Sequence, residues 1–347
     1  MKKIFYASIR FIFSKYNFFY FRNFKVIGKK NIPKNGAVLF SPNHQNALLD
    51  PLLVGTTAGR SVHSLTRSDV FGGPLQWFLD AMQTIPVYRI RDGYDKLKNN
   101  QKVFEHCYAL LAQKKHLMMF SEGKHHDQYY LLRLSKGSSR LAIEAQLRSP
   151  RHPIYLQPVG INYGNHLHAR HDCTVVYGKP INVQDYLSSY QDHPAKGLNA
   201  LRDALQLEME ACLWYPKNDE NYTAKKQFIN RKNTIQAFQV LKAELEKSSP
   251  ALKAASKNLL IYKGAVILFS LPNLPVHLAL KHIIGRFEDH VFHASVKYFG
   301  GLIFFLLWEA VGVSVVTALV NFYWGVSFFL LSLFSVFVRQ YFIIRSL

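Results

Sequence analysis

The chain has 347 residues, of which 49% are hydrophobic, and it carries 43 Lys and Arg against 22 Asp and Glu, a net charge of +21. This length exceeds a single small module, because domains usually run to about 100 to 200 residues. The charge calls for a negative partner: nucleic acid, an anionic membrane surface or phosphorylated substrates. The three cysteines, Cys107, Cys173 and Cys212, are odd in number and widely spaced, so neither a disulfide framework nor a zinc knuckle is expected. A reducing compartment fits this cysteine usage.

Residues 1–23 predict a basic interfacial helix. The segment "MKKIFYASIRFIFSKYNFFYFRN" mixes five Lys and Arg with bulky apolar and aromatic residues and contains no Asp or Glu. Such a composition is typical of a helix that lies at a membrane surface. Arg10 and Lys15 interrupt the apolar run and no small-residue cleavage site follows, which argues against a cleaved signal peptide. An amphipathic helix packed on its own domain is the alternative.

Residues 24–215 alternate short apolar runs with helical stretches. The runs predicted as strands are "FKVIG", "AVLFS", "TIPVY", "HLMMF", "YLQPVG" and "CTVVYG". Helical spacing covers residues 95–113, 136–147 and 196–214. This alternation predicts an α/β domain, with a sheet flanked by helices.

The remaining sequence divides into a basic stretch and a membrane region. Residues 216–257 are rich in Lys, Gln, Ala and Leu, which favours a solvated helical linker. From Tyr298 to Val338 the only charged residue is Glu309, so two spans are expected at about 299–319 and 322–342. Residues 259–280, broken by Pro272 and Pro275, favour a re-entrant or interfacial segment.

Basic residues bracket this expected membrane hairpin. They are Lys281, Arg286 and Lys297 before it and Arg339 and Arg345 after it. Cytoplasmic flanks of membrane spans carry an excess of Lys and Arg. The pattern therefore predicts an integral membrane protein whose two hairpin ends, and the 24–215 domain with them, face the cytoplasm.

The stretch "NHQNALLD" places His44 six positions before Asp50, the first acidic residue of the chain. A neutral imidazole can take a proton from an alcohol, and a carboxylate on its other nitrogen fixes the tautomer and stabilises the imidazolium. On one continuous helix the two side chains would be rotated by about 240° and would point apart. The pair therefore requires His44 in a loop before a helix that holds Asp50; the alternative is a helix cap followed by an ordinary helix.

Three further blocks follow in order: "TIPVYRIRDG", "MMFSEGKHHD" and "YLQPVGINYG". Together with "NHQNALLDP" they resemble the four blocks of the glycerolipid acyltransferase family, the lysophosphatidate and glycerol-3-phosphate acyltransferases. The resemblance covers about residues 25–181. Five residues, rather than the family's usual four, separate His44 from Asp50, which resembles the branch of fungal-type glycerol-3-phosphate acyltransferases. In the third block His125 stands where that branch has serine, and Ser121 replaces the usual proline, so substrate preference is open.

The resemblance implies a mixed sheet flanked by helices, and it implies roles for individual residues. His44 would be the general base and Asp50 would orient it, so that an acceptor hydroxyl attacks an acyl thioester directly. Arg89 would grip the acceptor phosphate, and Glu122 with Gly123 would shape the acceptor pocket. Further substrate contacts are considered at Arg91, Lys124 and Lys136; a surface charge for Arg91 and a plain helix start at Lys136 are the alternatives.

These observations give one main hypothesis and several alternatives. The main hypothesis is a membrane-bound O-acyltransferase that moves a fatty acyl group from acyl-CoA or acyl carrier protein to lysophosphatidate. Glycerol-3-phosphate or another lyso-lipid is the alternative acceptor, and an inactive membrane-tethered lipid-binding scaffold is the alternative of another class. Membrane lipids are the expected partners; nucleic acid is not, since no reader motif is present.

No cofactor and no metal are expected. The sequence has no Gly-rich phosphate loop and none of the zinc-protease spacings. The cluster "NHLHARHD", with His166, His168 and His171, is better interpreted as a polar hairpin between two strands than as a metal site.

Overall fold

The computed structural model describes residues 2–73, 76–88, 98–230, 232–247 and 259–346. Its strands are β1 (Phe24–Ile27), β2 (Ala37–Pro42), β3 (His63–Arg67), β4 (Thr84–Val87), β5 (His116–Met118), β6 (Ile154–Tyr163), β7 (Cys173–Tyr177) and β8 (Ile181–Asn182). These described strands form one sheet in the order β1-β7-β6-β2-β5-β3-β4, with β8 beside β6. Pairs of β6 with β7 and β8 are antiparallel and the other pairs are parallel. The mixed α/β sheet predicted from the sequence is confirmed.

Helices cover the sheet and extend beyond it. They are α1 (Lys2–Tyr20), α2 (Leu49–Thr57), α3 (Gln76–Ala81), α4 (Asn99–Ala112), α5 (Gly137–Arg148), α6 (Leu187–Asp192), α7 (Pro194–Ala211), α8 (Tyr222–Phe228), α9 (Phe238–Glu246), α10 (Leu259–Leu268), α11 (Leu274–Ile284), α12 (Val291–Leu319) and α13 (Phe322–Ser346). The predicted helices at 95–113, 136–147 and 196–214 correspond to α4, α5 and α7, with ends that differ by a few residues.

Strand β2 lies at the centre of the sheet and sends side chains into cores on both faces. Ala37 and Leu39 pack with helices α4, α5 and α7, whereas Val38 and Phe40 pack with α1 and α2. This follows from the period of two in a strand, which points successive side chains to opposite faces. A strand buried on both sides needs a continuous apolar run, which is why "AVLF" is so apolar. Because β2 is buried over its whole length, its last residue has a fixed position, and the loop that carries His44 starts from there.

The segment after residue 215 is helical, but it is not a solvated linker over its described part. Phe238, Leu241 and Leu245 of α9 are buried against Trp214. Thr234 donates a hydrogen bond of 2.7 Å to Asp172. The overall Lys content suggested solvation, but the apolar residues of α9 recur at helical spacing and bury one face. Residues 216–230 and 232–247 therefore pack on the α/β unit.

Helix α1 packs on the protein along one side and is exposed along the other. One side packs on the protein through Tyr6, Phe13 and Tyr20. The other side exposes large apolar side chains: Ile4, Phe11, Ile12, Phe18 and Phe19. A helix that buries one apolar face and exposes another has a surface available to a membrane interface.

Helices α12 and α13 are long and apolar enough to cross a membrane. The first starts at Val291, eight residues before the expected span, because polar residues at its beginning contact the α/β unit. Helices α10 and α11 meet at a bend of 46° between Leu268 and Leu271, next to Pro272. By length, composition and bend, this pair of helices is a broken span or a re-entrant segment; the re-entrant interpretation of residues 259–280 stays a prediction.

Candidate active site

The structure brings His44 and Asp50 together at the carboxyl end of β2. His44 lies in the loop between β2 and α2, and Asp50 lies in the first turn of α2. His44 Nδ1 is 2.9 Å from Asp50 Oδ2, so with a proton on Nδ1 the imidazole donates to the carboxylate. This is the loop-then-helix arrangement that the six-residue separation requires.

The Asp50 carboxylate is fully buried and fully hydrogen-bonded. Its Oδ2 also accepts the backbone N–H groups of Gln45, at 2.8 Å, and Asn46, at 2.7 Å. Its Oδ1 accepts the hydroxyl of Tyr163, at 2.6 Å. Burial, together with the neighbouring Asp50 charge, holds the pKa of Tyr163 well above its usual value, so the phenol keeps the proton that it donates. Hydrogen bonds from several donors hold a buried carboxylate in one position.

The imidazole of His44 is held by an aromatic ring. It stacks on Phe120, with 3.9 Å between ring centroids and 21° between planes. Its side chain keeps 14% of its surface exposed, and Nε2 has no hydrogen-bond partner among the residues that the structure describes. The second nitrogen of an oriented imidazole is therefore available to a substrate hydroxyl.

Glu122 fixes the backbone of the histidine loop. Its buried carboxylate accepts the N–H of His44 through Oε1, at 2.8 Å, and the N–H of Leu132 through Oε2, at 3.1 Å. Oε2 also lies 2.9 Å from Nε2 of His126. Since both of its carboxylate oxygens have hydrogen-bond partners in the protein, Glu122 holds the loop around His44 in place.

The other predicted contact residues of the third block lie nearby. Gly123 has a φ of +73°, a conformation that glycine adopts readily, and it is exposed next to Glu122. Lys124 is exposed as well. Lys136 immediately precedes helix α5, and its neighbour Ser135 donates its N–H to Ser121 O at 2.8 Å. The start of α5 is thus joined to the third block.

Arg89 and Arg91 lie outside the described residues. Strand β4 ends at Val87, and the backbone of Tyr88 is held by Asn100 of α4 through two hydrogen bonds, of 2.9 and 2.6 Å. This places Tyr88, which follows the strand part of the second block, at the same edge of the sheet as the ends of β2 and β5, because parallel strands end together there.

The first turns of helix α12 reach the histidine loop. Ser295 accepts the N–H groups of Leu48 and Leu49, at 3.1 and 3.2 Å, at the start of α2. Just before α12, Asp289 lies 2.8 Å from Nε2 of His125, whose ring makes an edge contact with His44 at 5.6 Å. Burial lowers the pKa of His125, and the hydrogen bond to Asp289 opposes this shift. An apolar helix of membrane-spanning length thus caps the helix that carries Asp50.

The histidine cluster lies in the connection between the antiparallel strands β6 and β7, at the place expected for a hairpin. His166 and His171 are buried, and Nδ1 of His166 lies 3.3 Å from the Tyr129 hydroxyl. Burial lowers the pKa of His166 to about 4, and it does the same for His168 with help from Lys297. Both shifts favour the neutral imidazole at His166 and His168. Within the described ranges, no group of three His, Cys, Asp or Glu is arranged to hold a metal.

Three residues of this site were not predicted from the sequence. Tyr163 lies in the quoted fourth block and shares a strand face with Val159 and Ile161, a period-two signal that could have found it. Phe120 lies within the quoted third block, two residues before Glu122, and nothing in the sequence distinguished it from the neighbouring apolar strand residues. Ser295 is 245 residues after Asp50, and no local pattern points to such a contact.

Comparisons with known proteins relate part of this chain to a family of enzymes. Residues 23–162 match the family model described as Acyltransferase. Glycerol-3-phosphate O-acyltransferase 1 of Saccharomyces cerevisiae is 22% identical over 209 residues, 56% of this chain and 27% of that protein. Glycerol-3-phosphate O-acyltransferase 2 of the same yeast is 27% identical over 115 residues, 33% of this chain and 15% of that protein. The chain thus spans 27% or less of the length of these relatives.

Among solved structures, the 1-acyl-sn-glycerophosphate (LPA) acyltransferase PlsC from Thermotoga maritima is similar to this chain, with a TM-score of 0.46 and 17% identity. The match covers 61% of this chain and 79% of that one.

Proposed function

We propose that this chain, whose residues 23–162 belong to the acyltransferase family, transfers a fatty acyl group from a thioester donor to the hydroxyl of a glycerol phosphate acceptor. The observation that carries the proposal is the pair of His44 and Asp50, with 2.9 Å between Nδ1 and Oδ2, a buried carboxylate and a free Nε2 side. Acceptor, donor and product are all anionic, which accords with the net charge of +21.

The chemistry runs through one proton acceptor and no covalent acyl-enzyme. Nε2 of His44 takes the proton of the acceptor hydroxyl while the oxygen attacks the thioester carbonyl. Asp50 stabilises the imidazolium that forms, and the three other donors on its carboxylate keep it in place. The thiolate then leaves, because a thiol has a pKa of about 8.5 and its anion is a far better leaving group than an alkoxide. The imidazolium returns its proton to the thiolate.

Acceptor binding is assigned to the blocks around this pair. Arg89 would hold the phosphate through its planar donor fork, with Arg91 as a second cation. Lys124 and Lys136, both exposed near the third block, are the further candidates, and Gly123 leaves open space beside them. Glu122 supports this pocket from behind through the His44 backbone.

The favoured acceptor is lysophosphatidate, and the product is then phosphatidate. Helices α12 and α13 would anchor the chain in the bilayer where this acceptor lies, and the exposed apolar side of α1 would rest in the interface. The donor is acyl-CoA or acyl carrier protein, and no cofactor takes part. The Lys and Arg residues at the hairpin ends favour a cytoplasmic catalytic domain.

Glycerol-3-phosphate is the second candidate acceptor, because both yeast relatives carry that substrate in their names. An inactive lipid-binding scaffold is disfavoured, since a buried carboxylate that already has three other donors has no structural need of a histidine that is open on its other side.

The experiment is a panel of acceptors offered to the purified full chain with oleoyl-CoA or, in parallel, oleoyl-acyl carrier protein as donor, with products identified by lipid mass spectrometry. Phosphatidate from lysophosphatidate, without product from glycerol-3-phosphate, supports the favoured assignment. The reverse pattern assigns the second candidate, and no acylated glycerolipid with either donor class rejects the proposal.

A further inference from the structure

A cavity of about 810 Å³ lies between helix α1 and the C-terminal helices α11, α12 and α13. Its volume is within the range of about 300–1,000 Å³ typical of small-molecule sites. The lining is mostly apolar, and it includes none of the described residues assigned to acyl transfer. A molecule bound in this cavity therefore does not contact His44.

The apolar wall has the depth of one leaflet of a bilayer. On α12 it begins at Lys297 and continues through Leu302 to Leu306. Nine residues of helix rise by about 13 Å. The hydrocarbon core of a bilayer is about 30 Å thick, so one leaflet takes up about 15 Å. An acyl chain that starts beside Lys297 can follow this wall to the bilayer centre.

Four cations surround the end of the cavity nearest the α/β unit. Lys281 is near the end of α11, Lys297 near the start of α12, Arg339 near the end of α13, and Arg170 in the β6–β7 connection. Among the described residues, the lining contains no Asp or Glu. Within the part of the chain that the structure describes, none of the four is paired with a carboxylate.

Two of these cations use only one N–H donor each in contacts with the described residues, so their other donors are available to a ligand. Lys297 donates one of three protons, to Leu167 O at 2.8 Å. Arg339 donates Nε–H to Ser270 Oγ at 2.7 Å, and both terminal nitrogens of its guanidinium remain. Cations held together without anions are unfavourable unless a negative group joins them. The cluster is therefore complementary to a phosphate.

Helix α12 separates this cavity from the reaction site. Ser295 faces the start of α2, whereas Lys297, two positions later and about 200° around the helix, faces the cavity. A headgroup bound at Lys297 lies on the far side of α12 from Asp50.

We infer that the cavity binds one phospholipid with an anionic headgroup, taken from the bilayer leaflet next to the α/β unit, with its phosphate among the four cations and an acyl chain along α12. This lipid is a bound component that joins α1 to the C-terminal helices; it is not the acceptor of the reaction. The inference rests on the membrane insertion proposed above and is independent of the acyl-transfer chemistry.

The test measures lipid binding by the full chain, purified in detergent and stripped of lipid. Native mass spectrometry compares dioleoylphosphatidylglycerol with dioleoylphosphatidylcholine. The first should bind and raise the melting temperature, and the second should bind much more weakly. Each cation near a lipid surface contributes about fivefold in affinity, so the double variant Lys281→Gln with Arg339→Gln should weaken phosphatidylglycerol binding by about 25-fold.

Three matched variants test whether lipid binding depends on the cations of the cavity, on their charge alone, and on the space along the apolar wall. Lys263→Gln with Arg286→Gln removes two exposed cations from the same region that do not line the cavity, and binding should be unchanged. Lys281→Arg with Arg339→Lys keeps the charges and should retain binding. Leu306→Trp keeps all four cations but fills the apolar wall at an exposed position, and it should also weaken binding.

Three results would overturn the inference. Equal binding of phosphatidylcholine would mean that the cations do not select the lipid. Equal loss in the control pair would mean that general surface charge attracts it. A rise in the KM for lysophosphatidate that parallels the loss of lipid binding would make the cavity an acceptor site. Binding is also measured on the His44→Ala variant, so failure of the acyl-transfer proposal leaves this test intact.

Discussion

Replacing Asp50 with Asn removes the negative charge beside His44 and little else. The amide oxygen can still accept the backbone N–H groups of Gln45 and Asn46, so the loop keeps its anchor. With 2.9 Å between Nδ1 and Oδ2, the charge centres of imidazolium and carboxylate are about 4 Å apart, and at an effective permittivity of about 20 their attraction is about 4 kcal/mol. If this attraction develops in the transition state, kcat falls by about 10³-fold.

The assay follows thiol release from oleoyl-CoA by purified protein with saturating lysophosphatidate. Asp172→Asn is the matched control, because Asp172 is also buried but bonds Arg22, Asn23 and Thr234 instead of His44. The control should lower the melting temperature and leave kcat unchanged. An Asp50→Asn protein that is folded and keeps more than about a tenth of the wild-type kcat would refute the role of the carboxylate. So would an equal loss of kcat in the control.

Four further predictions concern stability and membrane attachment. Burial raises the pKa of the Asp172 carboxyl, but the hydrogen bonds from Arg22 and Thr234 outweigh burial and hold this pKa below its usual value. The contribution of Asp172 to stability is therefore present above the unfolded pKa of about 3.9 and is lost as the pH falls below it. Thermal melts should show a steeper loss of stability below about pH 4 in the wild type than in Asp172→Asn. Ser295→Ala removes the acceptor at the start of α2 and should cost about 1 kcal/mol and lower kcat, whereas Ser327→Ala, on the exposed side of α13, should do neither. Gly123→Ala meets no clash but keeps a positive φ, so thermal unfolding should show a loss of about 1 kcal/mol. Alkaline or high-salt washing of membranes should leave the chain in the pellet, and its release by salt would contradict the integral hairpin.

The sequence predicts the sheet well where local patterns determine it. All six predicted strands are present, because buried strands need apolar runs that stand out against their neighbours. Strand β3, "HSLTR", was missed because it is short and polar, and it is a strand only through its pairing with β4 and β5. Strand β8 has two residues and depends in the same way on β6.

In the candidate site, the six-residue separation of His44 and Asp50 was enough to predict that His44 lies in a loop and Asp50 in the helix that follows. The rest depends on contacts between distant parts of the chain. Tyr163 reaches Asp50 across 113 residues and Ser295 reaches Leu49 across 246. Such contacts follow from the packing of the whole fold. The period of two places Tyr163 on the buried face of β6, but it does not identify Asp50 as the partner of its hydroxyl. The burial of α9 was missed for a different reason: its overall composition is polar, and the apolar face appears only when the residues are placed on a helix.

The most direct test of the central claim compares the wild type with His44→Ala in one reaction. Both proteins, reconstituted in vesicles, receive oleoyl-CoA and lysophosphatidate, and free thiol and phosphatidate are measured together. The wild type should release one thiol for each phosphatidate formed, and His44→Ala should form neither while it remains folded and bound to the vesicles. Phosphatidate formed by His44→Ala at the wild-type rate would contradict the account.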